Sequence, residues 1–294
     1  MDGLIIRHHG QAFTIEDEHG RLHRCTARRK VGALVCGDRV AWQPGSGGNG
    51  VILALRPRRS LLARPEGRGQ HKPIAANLDQ VVIVSAPQAG AASLDTGLTD
   101  RYLVAAELCN LRAAIVINKA DLFTPERRVA AERQTAVYGK IGYRVLFTSA
   151  QRGLGLTELS VLLREGTGAL IGPSGAGKSS LAQALLPDEE VRIGAVSADG
   201  GGRHTTTWAT LYRLPHGGRL IDSPGVRDFR LWQAAATEIA RGFAEFRSRS
   251  RSCRFADCLH VAEPACAVRQ AVEDGEIAPE RYRSYRVLID DLKE

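Results

Sequence analysis

The sequence has 294 residues, 44% of them hydrophobic and 24% charged, with 31 glycines and no low-complexity tract, a balance that excludes wholesale disorder. The length leaves room for more than one domain of about 100–150 residues, and no apolar run reaches the roughly 20 residues of a membrane helix. Residues 1–10 lack a secretion signal's apolar core, so a cytoplasmic protein is expected, and the formal charge of +8 is concentrated at the front, where residues 1–80 carry 13 Lys and Arg against 7 Asp and Glu.

Up to about Pro65, short apolar stretches at 3–6, 31–36, 40–42 and 51–55 alternate with glycine-rich turns and read as the strands of a small all-β module, with an exposed turn at 44–50. Arg21, Arg24, Arg28, Arg29 and Lys30, followed by Arg56, Arg58, Arg59 and Arg64, make it basic. A small basic barrel suits nucleic acid; the same residues also suit a solvated face.

Beyond Asn77 the rhythm changes. Apolar strands at 80–86, 113–117, 144–147, 169–171 and 219–221 alternate with helical stretches, one at 98–109 and one capped by Thr124 with Pro125 in first position. Such alternation predicts a parallel sheet covered on both faces, with ligands bound at the carboxyl ends of its strands.

Motifs stand at those ends. Gly172-Pro173-Ser174-Gly175-Ala176-Gly177-Lys178-Ser179 fits the phosphate-loop pattern: glycines let backbone N–H groups surround a phosphate, Lys178 reaches its oxygens, and the Ser179 hydroxyl suits Mg²⁺. Asn118-Lys119-Ala120-Asp121 fits the guanine signature, because Asp121 can accept from guanine N1–H and N2–H₂, a donor pair adenine lacks, while the Asn118 amide donates toward the purine. Ser149-Ala150 resembles the loop that meets guanine O6 through backbone N–H. Asp222-Ser223-Pro224-Gly225 fits D-x-x-G, with Asp222 supporting Mg²⁺ through water and the Gly225 N–H meeting the γ-phosphate. The guanine motif precedes the phosphate loop, the reverse of the usual order, so the GTP-binding domain is circularly permuted. That order also suggests that a γ-phosphate signal leaving Asp222 passes directly to the C-terminal segment.

After Trp232 the strands stop. Cys253, Cys258, His260 and Cys266, spaced C-x₄-C-x-H-x₅-C, offer three thiolates and one imidazole, the donor set of a closed structural zinc site. Arg247, Arg249, Arg251 and Arg254 lie beside it, where equal acid in the segment suits a solvated face as well as RNA.

Together these residues, with Gly37-Asp38-Arg39-Val40 in the β module, resemble the bacterial ribosome small subunit-dependent GTPase A family over nearly the whole chain. The resemblance implies a multidomain α/β protein: an oligonucleotide-binding-type barrel at 1–66, a permuted phosphate-loop GTPase domain at 67–232, whose loop runs through Ser180, and a helical zinc module at 233–294. It implies a monomer that binds the 30S subunit and its rRNA and assists its late maturation, with hydrolysis stimulated by the subunit. By position, Gly202-Arg203-His204-Thr205-Thr206-Thr207 becomes the first switch, with Thr206 a Mg²⁺ ligand and His204 a water-positioning catalytic residue. Val226 stands where many GTPases place a water-orienting Gln, so slow unassisted turnover is expected. Some members carry a longer basic N-terminal tail, and weaker RNA contact is expected without it. An RNA-binding scaffold using GTP as a conformational ligand, and a phosphate-loop kinase or ATPase, are the competing readings of the residues.

Overall fold

The computed structural model describes residues 1–45, 49–66, 70–87, 93–186, 209–227 and 234–293. Five strands close an N-terminal barrel: β1 (Asp2–His9), β2 (Ala12–Asp17), β3 (Leu22–Ala27), β4 (Arg39–Pro44) and β5 (Asn49–Leu55). β1 pairs antiparallel with β2 and β4, β2 with β3, and β4 with β5, while β3 runs parallel to β5 and completes the ring. Alternation fills it, with Ile5, Phe13, Ile15, Cys25, Val40, Trp42 and Ile52 in one core. Gly50 is required at its position, since a Cβ there would lie 2.5 Å from Cys25 Sγ and 2.8 Å from the Trp42 ring.

The stretch 31–36 is not a strand, although its apolar residues suggested one. Its backbone is held by side chains instead. The buried Asp38 carboxylate accepts from Val35 N at 2.8 Å and from the Arg58 guanidinium at 2.7 and 2.8 Å, and Arg58 also donates to the Ala33 carbonyl. The hairpin of β6 (Leu61–Glu66) and β7 (Gln70–Ala76) comes next and spans residue 66.

The second sheet has the order β10-β9-β8-β11-β13-β12. Its parallel strands are β8 (Gln80–Ser85), β9 (Arg112–Ile117), β10 (Arg144–Phe147), β11 (Thr167–Ile171) and β13 (Arg219–Asp222). The short β12 (Thr210–Arg213), absent from the sequence reading, runs antiparallel to β13. Helices α1 (Thr96–Leu108) and α2 (Pro125–Ile141) cover one face, where Leu103 and Tyr138 join Val81, Ile83 and Ile115. Helices α3 (Leu156–Leu163) and α4 (Lys178–Leu185) cover the other, where Leu159, Leu163 and Leu181 join Val82, Val84 and Val116. Burial on both faces is why these strands read as solid apolar runs. Barrel and sheet join edge to edge: Arg7 of β1 pairs with Thr210 of β12, and the Cys36 thiol donates to the Ile6 and Ala209 carbonyls at 3.2 Å each.

After α5 (Pro224–Arg227), four helices form the C-terminal module: α6 (Ala236–Gly242), α7 (Phe246–Ser250), α8 (Ala267–Glu273) and α9 (Pro279–Asp290). Its core of Ile239, Phe243, Phe246, Tyr285 and Ile289 includes Val104 from α1. Among the described residues no helix is long and apolar enough to cross a membrane.

The loop at 31–38 makes the Asp38–Arg58 pair a stability determinant. Arg58→Met leaves a buried carboxylate without its cation, and removing one partner of such a pair costs about 3–5 kcal/mol. We expect a lower urea midpoint at unchanged slope in equilibrium denaturation.

Candidate functional site

The motifs identified from the sequence converge at the carboxyl ends of the parallel strands. The phosphate loop leaves β11 and opens α4, with Gly172, Gly175 and Gly177 at φ of 137°, 78° and 89°. Side chains rarely adopt such values, and two of these positions are also crowded: a Cβ would lie 2.2 Å from the Val84 carbonyl oxygen at Gly172 and 2.3 Å from Asn118 Nδ2 at Gly177. Lys178 Nζ donates across the loop to the Gly172 and Pro173 carbonyls at 2.6 and 2.8 Å. Ser179 is half-buried in the first turn of α4, and Ser180 is exposed beside it.

Asn118 directly follows β9 and is 2% exposed. Its Nδ2 donates to the Ala176 carbonyl at 2.9 Å, and its Oδ1 accepts from Thr148 Oγ1 at 3.2 Å. One of the two amide N–H groups thus serves the phosphate loop, because Gly177 packs closely against the amide, and the other is left for a purine. Lys119 sits at φ 59°, before a one-turn helix at Ala120–Leu122 that presents Asp121 to solvent. Ala120 N donates to the Thr148 carbonyl at 2.9 Å, which ties the guanine motif to the loop after β10. In that loop Ser149 is buried and its N–H donates to the Leu154 carbonyl at 2.9 Å, so this N–H serves the loop itself. Thr148 went unnoticed in the sequence, although it immediately precedes the Ser149-Ala150 pair. Beside the phosphate loop lies a cavity of about 260 Å³, walled by Ser174, Gly175 and Ala176, by Lys119, by the end of β8 at Ser85 and by Thr99 and Tyr102 of α1.

Asp222 closes β13, beside β11. Ser223 Oγ accepts from Val226 N at 3.1 Å and caps the turn of α5. A Cβ on Gly225 would lie 3.0 Å from Ile74 Cγ2, so this loop packs on the β6–β7 hairpin. Val226 is fully buried in the core with Ile74 and Ile221. His204 and Thr206, with the rest of 202–207, lie outside the described residues.

Among the described residues, Arg56, Arg58 and Arg59 bind Asp2, Asp38 and Asp79, whereas Arg21, Arg24, Arg28, Arg29 and Lys30 are exposed along and just beyond β3. Arg247 pairs with Glu107 and Arg249 with Glu276, leaving Arg251 and Arg254 exposed.

Cys253, Cys258, His260 and Cys266 gather with their donor atoms within 4.8 Å of one another. His260 Nδ1 faces Cys266 Sγ at 3.4 Å and Cys253 Sγ at 3.6 Å, and the two sulfurs are 4.0 Å apart. Tetrahedral zinc with Zn–S bonds of about 2.3 Å places its sulfurs roughly 3.8 Å apart, so the donor set fits. Ser250 Oγ lies 3.1 Å from His260 Nε2 and orients the ring, as an outer-shell partner does. From α9, Tyr282 and Tyr285 donate to the His260 and Leu259 carbonyls. Glu263 organises the loop between the ligands: its carboxylate accepts from Leu259 N and Val261 N at 2.9 Å and from Ala262 N at 3.0 Å. Burial alone would raise its pKa, but these backbone donors outweigh burial and hold it down at about 2.

Comparison with known proteins agrees with this geometry. Residues 55–232 match the model of the RsgA GTPase family. The small ribosomal subunit biogenesis GTPase RsgA of Sodalis glossinidius is 46% identical over 99% of this chain and 86% of its own length. Its namesake in Chromohalobacter salexigens is 47% identical, with the same two coverages. Among solved structures, YjeQ from Thermotoga maritima superposes with a TM-score of 0.82 at 33% identity, covering 99% of this chain and 98% of that one. YloQ, described as a circularly permuted GTPase, superposes at 0.79 with 28% identity over 99% and 94%.

Glu263 generates a pH-dependent prediction. A carboxyl held at about 2 against an ordinary 4.5 contributes stability above the ordinary value and loses it as the pH falls through the lower one. Glu263→Gln is therefore expected to melt below the parent protein at neutral pH, with the Tm gap narrowing between pH 4.5 and 2.

Proposed function

The chain belongs to the RsgA GTPase family and is a GTPase, and on that premise we propose that it binds the 30S ribosomal subunit, assists its late maturation and hydrolyses GTP in response to that subunit. The observation that carries the reading is the Asn118 link, which holds a guanine motif against a phosphate loop from a distant part of the chain. A kinase or ATPase site has no use for an aspartate placed like Asp121.

In this reading Asp121 accepts from guanine N1–H and N2–H₂, with Asn118, Lys119, Ser149 and Ala150 framing the base. Gly172, Pro173, Ser174, Gly175, Ala176 and Gly177 present backbone N–H groups to phosphate, Lys178 reaches the β and γ oxygens, and Ser180 lines the opening of α4. Ser179 and Thr206, with Asp222 behind a water, would hold Mg²⁺, which would supply neutralisation of the phosphate charge. The Gly225 N–H senses the γ-phosphate, and His204 orients the attacking water in place of a Gln. The burial of Val226 supports that last role, because a side chain in the core cannot reach solvent at the γ-phosphate. Cys253, Cys258, His260 and Cys266 would hold a structural zinc, which would supply order to the segment 233–294. The barrel at 1–66 faces rRNA through Arg21, Arg24, Arg28, Arg29 and Lys30, ahead of a GTPase unit at 67–232. The protein acts in the cytoplasm as a monomer.

GTP turnover by the purified protein is expected to rise at least about tenfold with 30S subunits, as activators supplied in trans do for other GTPases, and not with 50S subunits. An unchanged rate would overturn the ribosomal role. Elemental analysis should give about one zinc per chain, as a four-ligand site holds, and Cys258→Ser should lose it; native protein without zinc would overturn the metal assignment.

A further inference from the structure

Arg281 of α9 is a cation in the protein interior, 1% exposed. It donates to the Asp100 carboxylate of α1 and, at 2.7 Å, to Glu245 in the turn before α7. Asp100 is equally buried and accepts a second hydrogen bond from Tyr138 of α2 at 2.7 Å. The guanidinium also lies 4.6 Å from the centre of the Phe243 ring. Four elements therefore meet on one side chain contributed by the C-terminal module.

Apolar residues of similar volume would hold these helices together at no loss, and often with a gain, because desolvating charges offsets their attraction. A buried, forked ion pair adds geometry: it is satisfied only when α9 stands at one register along α1. The position on α1 is informative. Thr99 and Tyr102, on either side of Asp100, wall the cavity beside the phosphate loop, so the same turn faces that cavity and Arg281. The same stretch of α9 supports the Cys/His loop, since Tyr282, the next residue, and Tyr285, one turn on, donate to the carbonyls of His260 and Leu259.

We infer that Arg281 is a positioning residue for nucleotide binding: by clamping Asp100, the C-terminal module fixes the wall that α1 gives to the nucleotide cavity. The inference rests on the reading of that cavity as part of the GTP site. Nucleotide affinity then depends on the module's seating, and by reciprocity bound nucleotide favours the seated module to the same extent.

The test uses the full chain titrated with N-methylanthraniloyl-GDP, alongside thermal melting. Arg281→Met should lower Tm and weaken GDP binding about tenfold, within the usual range for coupled sites. The double variant Asp100→Leu/Arg281→Met replaces the pair by apolar side chains; Tm should recover while GDP binding stays weak. Recovery of affinity together with Tm, or affinity that never changes, would show a merely structural clamp and overturn the inference. Should the double variant not fold, Arg281→Lys carries the test, since it keeps the charge without the fork: weaker GDP binding at near-parental Tm supports the inference, and parental affinity overturns it. Lys178→Ala separates the two levels. If it abolishes GDP binding while the Arg281 variants bind normally, only the positioning role falls; if it leaves GDP binding intact, the nucleotide-site reading itself falls.

Discussion

The side-chain amide of Asn118 is the contact on which the nucleotide site depends. Its nitrogen holds the Ala176 carbonyl and its oxygen holds the Thr148 hydroxyl, so loops after three different strands are fixed by one buried group. An amide suits this task because it donates and accepts at once, and its burial makes each bond expensive to leave unmade. Circular permutation does not disturb the arrangement. The bonds run between strand ends, and the strands keep their neighbours whatever order the chain visits them in.

The second organising feature is the seam between barrel and sheet. β1 belongs to both, closing the barrel through β4 and touching β12 at Arg7. The loop 31–38 packs into this seam, where the Cys36 thiol bridges the Ile6 and Ala209 carbonyls and Ala76 N reaches the Cys36 carbonyl at 3.0 Å. The β6–β7 hairpin lies against the Asp222–Gly225 loop through Ile74. The barrel and the Asp222–Gly225 loop thus share a short chain of packed residues.

The C-terminal module is held by different physics. Its short helices share a small aromatic core, and two devices supplement it: a compact Cys/His cluster on one side and the buried Arg281 pair on the other. The first orders the module internally, and the second sets its position on α1. Both converge on α9, whose successive residues Arg281 and Tyr282 serve one device each.

The sequence by itself determined the kinds of chemistry present and the order of the parts. Solid apolar strands, glycine spacing in 172–179, the Asn118-to-Asp121 signature and the Cys/His spacing are local patterns, because strand burial, phosphate loops and metal ligation each constrain residues close together in the chain. Tertiary structure decided everything that depends on residues far apart. It turned the apolar stretch 31–36 into a loop, because Arg58 reaches back to Asp38. It used the Asn118 amide on a phosphate-loop carbonyl, because Gly177 brings that carbonyl within reach. It sorted the arginines, placing Arg56, Arg58 and Arg59 in ion pairs with Asp2, Asp38 and Asp79, a division that composition cannot express. It also buried Arg281 against Asp100, 181 positions away; no local pattern marks an arginine as interior, since only the folded chain supplies the carboxylates that make its burial tolerable.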